Sequence, residues 1–561
     1  MRRKSVFSLF MLSMGVALLV AALTVGTAAA SHKAHAKGGG NLIVTQVGAF
    51  DTLDPQLSYV SNDWGLLYNT QLLLMNLPTN GGPKGLQLVP QAAKSFPIVS
   101  KNGKTYTFHI RKGLKFNTGA PVTAKNFQRS FERNLSPKMF AQYGIYDGLD
   151  VFLVGGKAFA AGKTQHISGI KAKGLKLTIH LTKVVPQFTS IMGMQWFSAI
   201  PTNMPYSNSD AGILKYASAG PYYIASNNLT SLTVLKKNKH FPRSLRKNWP
   251  ANPSQIIVKS YPSSNGDPQL LQAEKNQVDL ATVPSQDVAK TIKKYGVNKG
   301  RFKVGPTTCI TWNSLNTRSL NGTTNSPAAR KAFNYLVSRK AIINFAGPLS
   351  GAPSDQILVP AIPGYKKFTT YPAAGNFNKA KQLAGSKLNG KKLVIYYRQA
   401  SVYQTNVAEY IESQATKLGM KPELQASDPT NFYGALETKS TALGPNGYNI
   451  SAYGGWCADY PDGYDYFNVN FDGRTIGDTG NVDYMYFNNS SFNKQMDKAA
   501  AATGARRAHL YGALDKTFMN KYAPLIPTQI GNTRTMTSNR VHNYVYSKWW
   551  GQPFWNAIKL G

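Results

Sequence analysis

The chain has 561 residues, 42% of them hydrophobic and 11% aromatic, too many for one core and rich enough to build several. Lysine and arginine number 64 against 25 aspartates and glutamates, a formal net charge of +39. The basic residues are dispersed, with no arginine-rich arm and no zinc-finger spacing, which disfavours nucleic acid as a partner and leaves an anionic cell wall or membrane surface. Sparse carboxylates also suit life at low pH, because a paired carboxylate withdraws its stabilisation as pH falls through its folded pKa.

Residues 1–36 read as a signal peptide. Arg2-Arg3-Lys4 precedes an apolar run from Val6 to Val25, and Ala28-Ala29-Ala30 and Ala34-His35-Ala36 offer small-x-small cleavage sites. A run of this length could also stay uncleaved as an anchor, but its Ser, Gly and Thr favour cleavage. The expected location is therefore periplasmic or at the extracellular cell surface. No cysteine follows the run, so a lipoprotein is not expected.

Leu42-Ile43-Val44 opens a strand. Tyr106 to Ile110 alternates as a half-buried strand, and Thr123 is placed to cap a helix whose Phe127 and Phe131 share a face. Leu175, Leu177, Ile179 and Leu181 alternate in another strand. Thr307 to Asn316 is β-prone, and Ser326-Pro327 starts an amphipathic helix with Ala329, Ala332, Phe333, Leu336 and Val337 inside. Residues 391–425 have a β-α-β pattern, with Gly419 closing its helix. An apolar run from Tyr448 ends at Gly454-Gly455, read as a bend. Beyond it Trp456, Cys457, Asp459 and Tyr460 stand on a loop before a Pro461-Asp462-Gly463 turn.

Several of these segments resemble one family in the same order. Phe108 to Phe116 resembles a "Phe-x-Leu-Arg-x-Gly-x-x-Phe" signature, continued by Gly119-Ala120-Pro121-Val122-Thr123-Ala124. Gly220-Pro221-Tyr222, Ala329-Arg330-Lys331-Ala332 and Pro524-Leu525-Ile526-Pro527 match later landmarks, and Trp456-Cys457-Ala458-Asp459-Tyr460 resembles the ligand-contacting segment. The family is that of extracytoplasmic solute-binding proteins, family 5, the oligopeptide and dipeptide binders that serve ABC importers. Gln71, Thr118 and Asn126 depart from it, standing where the family commonly has acids.

The resemblance implies an α/β fold of two lobes, periplasmic-binding-protein-like of type II (Venus flytrap), with an inserted subdomain in the first lobe. The expected division is residues 41–88, 215–308 and 526–561 for the first lobe, 89–214 for its insert and 309–525 for the second lobe. The implied function is capture of short peptides between the lobes and delivery to an ABC transporter permease, by a monomer without cofactor or metal. Asp459 would hold the peptide's α-ammonium, although without the resemblance it reads as a turn residue. Trp456, Tyr460 and Tyr453 would line the pocket or pack inside. Cys309 and Cys457, the only cysteines, would form a disulfide in an oxidising compartment, the alternative being two buried thiols.

Other readings stay open on the residues alone. The same fold could take a glycan, a nickel chelate or an opine, and the charge could serve adhesion to polyanions. Enzymes are disfavoured: there is no Gly-x-Ser-x-Gly elbow and no His-Glu-x-x-His motif, and two Ser-x-x-Lys matches lack a Lys-Thr-Gly partner.

Overall fold

Strand after strand is laid down by residues alternating between a core and a polar side. The computed structural model describes residues 39–139, 148–207, 216–261, 267–428 and 431–561. The expected signal peptide, 1–36, lies outside the described residues. β1 (Asn41–Val47) buries Leu42 and Val44, and α1 (Ser61–Thr70) follows it. Then β2 (Ile98–Val99), β3 (Thr105–His109), α2 (Ala124–Leu135), β4 (Ile170–Lys173) and β5 (Lys176–His180) make a group whose apolar side chains join the core of β1. Its strands make an antiparallel sheet in the order β2-β3-β5-β4, with Tyr106, Phe108, Leu177 and Ile179 on the buried face.

Thr123 caps α2. Its backbone N–H donates to Asn126 Oδ1 at 2.8 Å, while Asn126 Nδ2 donates to the Ile200 carbonyl at 2.8 Å. The amide that replaces an acid here keeps the helix start and adds a donor that a carboxylate lacks.

The chain then runs through β6 (Tyr222–Asn228), β7 (Leu232–Lys237), β8 (Gln255–Tyr261) and β9 (Leu280–Thr282) into the long β10 (Phe302–Leu315). In α3 (Pro327–Leu336) Ser326 accepts from the Ala329 N–H, and Ala332 and Phe333 are fully buried. After β11 (Gly351–Pro353) come β12 (Lys392–Tyr397), α4 (Val402–Lys417) and β13 (Lys421–Ala426), a βαβ unit whose two strands pair in parallel. β14 (Ile450–Cys457), α5 (Gly463–Phe471), α6 (Gly504–Thr517) and β15 (Leu525–Thr537) complete the framework.

One sheet runs through both lobes in the order β13-β12-β14-β10-β15-β9-β1-β8-β7-β6, with β11 also on β15. The lobes keep distinct cores, one around Leu42, Phe127 and Ile256, others around Phe467 and Phe518 and around Phe333 and Ile411. β10 and β15 cross between them. Their ladder runs from Phe302 to Pro306 and resumes at Ile310, so Thr307 to Cys309 form no rung with β15. Among the described residues no helix is long and apolar enough to cross a membrane.

Candidate ligand-binding site

The Gly454-Gly455 pair is not a bend. β14 continues through it, and Gly454, Gly455, Trp456 and Cys457 pair with Trp312, Thr311, Ile310 and Cys309 of β10. The glycines serve close approach instead: a Cβ on Gly454 would meet Trp312 Nε1 at 2.5 Å, and one on Gly455 the Ile310 carbonyl at 2.9 Å. Trp456 and Cys457 thus belong to a strand and not to a loop. Likewise Pro461-Asp462-Gly463 is a helix start, with Asp462 accepting from the Tyr464 N–H at 2.8 Å to cap α5. Cys309 and Cys457 are joined by a disulfide, which fastens the end of β14 beside the ladder break in β10.

Asp459 follows directly, only 7% exposed. Tyr59, from the first lobe, donates its hydroxyl to Asp459 Oδ2 at 3.1 Å. The backbone N–H of Asp459 donates to Asp465 Oδ2 at 2.9 Å, and Trp456 Nε1 donates to the same oxygen at 3.3 Å. Asp465, in the first turn of α5, therefore fixes both the backbone of the acid and the ring beside it. Asp462 also takes a bidentate pair from Arg507 at 2.7 and 2.9 Å, and Arg507 Nη2 reaches Gln187 Oε1 of the first lobe at 3.1 Å.

Aromatic rings gather around Tyr59. Tyr59 stacks on Trp196 with centroids 5.6 Å apart, meets Trp64 edge-on at 5.8 Å and lies 6.4 Å from Trp456. Trp64 in turn meets Trp550 at 5.9 Å. Trp456 is half-buried on β14. Tyr460, 1% exposed, leaves the second lobe's sheet and packs into the first lobe's apolar cluster. Tyr453 is half-buried lower on β14, edge-on to Tyr403 at 6.4 Å, and burial pushes its phenol up to about 12.

Next to these groups lies a cavity of about 370 Å³ whose lining includes Val47, Trp64, Thr308, Cys457, Ala458 and Trp550. Two strand edges end in it. β1 pairs with β8 over its full length but with β9 only at Val44, so one edge is open from Thr45 to Val47. β14 pairs with β12 only at Ile450 and Ser451, leaving that edge open up to Cys457. Trp550 Nε1 is buried with no hydrogen-bond partner, a donor left over at the cavity wall.

Past the end of β12 stands Arg398. Its guanidinium lies 5.0 Å from the Phe432 ring centre and 5.4 Å from that of Tyr433, and its Nε is buried without an acceptor. Tyr453 is close enough to feel its charge. Ligands of open α/β sheets bind beyond the carboxyl ends of the strands, and Arg398 and Asp459 both stand at that end of the second lobe's sheet. Tyr59, Trp196, Trp550, Asp465 and Arg398 were not singled out from the sequence. An Arg directly after a β-α-β unit's first strand was the one usable signal among them.

The sequence profile "Bacterial extracellular solute-binding proteins, family 5 Middle" matches residues 87–478. The oligopeptide-binding protein OppA of Bacillus subtilis is 23% identical over 507 residues, covering 85% of each chain. The probable D,D-dipeptide-binding periplasmic protein DdpA of Escherichia coli is 25% identical over 470 residues, covering 82% of this chain and 83% of its own. Among solved structures, clavulanic acid biosynthesis oligopeptide binding protein 2 superposes with a TM-score of 0.82 at 19% identity, covering 93% of this chain and 96% of its own. That likeness is one of fold, and the two-lobed architecture agrees with it. Two lobes around a carboxylate-bearing cleft, with a family profile spanning most of the chain, place it among binding proteins and not enzymes: the chain belongs to the bacterial extracellular solute-binding proteins of family 5.

Proposed function

We propose that this protein captures short peptides in the cleft beside Asp459 and hands them to an ABC permease in the membrane. The observation that carries the reading is a buried carboxylate in a cleft whose two open strand edges belong to different lobes. A peptide is the ligand that uses all of these features at once. Its main chain adds to strand edges, and its α-ammonium makes a charge-assisted bond to Asp459 that strengthens as the lobes exclude water. Trp550 Nε1 supplies a donor for a main-chain carbonyl, and Trp456 and Tyr453 are walls for side chains. Arg398, with its unfilled Nε, receives the carboxylate end. By the parallel register of β12 and β14, Arg398 is level with Tyr453, about 13 Å of strand rise below Cys457. A few extended residues span that distance.

The test is native mass spectrometry of the exported protein with a mixed peptide library. Wild type retains short peptides with free N-termini, and Asp459→Ala loses them by on the order of 100-fold in affinity, as does wild type offered the same peptides N-acetylated. Equal retention by wild type and Asp459→Ala removes the assignment of the ammonium site. No retention by either moves the ligand away from peptides.

A further inference from the structure

We propose that the outer face of the small sheet β2-β3-β5-β4 is a docking surface for an anionic phospholipid membrane. The register spells out what this face presents. One row across it reads Ile98, Thr107, Thr178, Lys171, the next His109, Lys176, Lys173, and a third Thr105, His180. Lys171, Lys173, Lys176 and His109 are exposed, while the residues between them along each strand, Tyr106, Phe108, Leu177 and Ile179, are buried on the other side.

No Asp or Glu occurs in these four strands. Lys94, whose N–H donates to the His109 carbonyl at 2.7 Å, extends the positive row at its edge. Lysines set directly opposite one another repel, and a soluble protein ordinarily intersperses acids to relieve this. Here the relief must come from outside. The charge alone fits any polyanion, but the apolar side chains narrow the choice. Ile98, in the row with Thr107, is 63% exposed, and Phe96, beside the same edge strand, 56%. A polyanion in water rewards the lysines and gives these residues nothing. A lipid surface takes both, with phosphates for the lysines and the headgroup–acyl boundary for Ile98 and Phe96. The face is a third region, separate from the cleft and from the crossing strands, and so is free to dock while ligand is held.

The experiment is co-sedimentation of the exported protein with vesicles of phosphatidylglycerol and phosphatidylcholine, against vesicles of phosphatidylcholine alone. Wild type partitions onto the anionic vesicles and is released by salt. The combined variant Lys171→Gln, Lys173→Gln, Lys176→Gln partitions roughly 100-fold less, at about fivefold per lysine. A control with the same change of net charge, Lys236→Gln, Lys381→Gln, Lys417→Gln at exposed sites elsewhere, keeps most of the binding. Ile98→Ser weakens vesicle binding and leaves retention on soluble polyphosphate unchanged. Peptide binding and melting temperature report that each variant is folded. Equal loss in the face and control variants overturns the proposal in favour of net charge. Retention on polyphosphate without partitioning onto vesicles overturns it in favour of an anionic polymer.

Discussion

Asp459 in the cleft and Asp515 in the second lobe's core are both buried carboxylates, and their donors come from different places. Asp515 accepts from the Ile357 N–H at 2.9 Å, the Leu358 N–H at 3.1 Å and Gln356 Nε2 at 3.1 Å, all donors of its own lobe. Asp483 is similar, accepting from the Met485 and Phe487 N–H groups at 3.1 Å each. Asp459 also accepts across the cleft, from Tyr59, 400 positions away in the chain. An acid whose donors travel with it is the same in every state of the molecule. An acid that meets a donor across the cleft feels every opening, which makes burial alone a poor guide to function and the origin of the donors a good one.

Removing each acid should therefore hurt in different places. The largest effect is on stability: Asp515→Ala strands three buried donors and should cost on the order of 4 kcal/mol, read as a large drop in melting temperature, while the protein that remains folded binds peptide normally. Asp459→Ala should do the reverse, losing peptide by the hundredfold margin given above with little change in the melting temperature of the ligand-free protein. Swapped outcomes would break the distinction. A smaller effect sharpens it: Arg398→Gln should weaken peptides with a free carboxylate about tenfold and leave C-terminally amidated peptides unaffected, because one charge-assisted bond at a half-exposed site is lost.

The weakest effect is in the pH dependence. Burial pushes the carboxyls of Asp63 and Asp515 up to about 7 and that of Asp483 up to about 8, against the hydrogen bonds that pull each of them down. The folded protein thus holds protons that the unfolded chain releases near pH 4, so these groups stabilise the fold in acid and lose that contribution as pH rises through about 7 to 8. Melting temperature should be higher at mildly acidic than at mildly alkaline pH, and Asp483→Asn should flatten the slope. A melting temperature that rises steadily from acid to alkali would refute this.

Much of this was legible in the sequence, and the reasons are local. Alternation at every second residue marked β3 and β5, a Ser-Pro pair marked the start of α3, and Gly419, at φ +79°, closed α4. The two cysteines, read with the family resemblance, foretold their bond. Where local signals had two meanings, the reading failed: Gly454-Gly455 looked like a bend and proved to be a strand thinned for Trp312 and Ile310, contacts 140 or more positions away.

By itself, then, the sequence determined the order of the elements, the faces they bury and the family, because each is written in neighbouring residues. Only the tertiary structure decided which strand edges stay open, which acid is partnered across the cleft and which face gathers lysines without acids. Those depend on pairings between distant segments, and no periodicity in either segment records its partner.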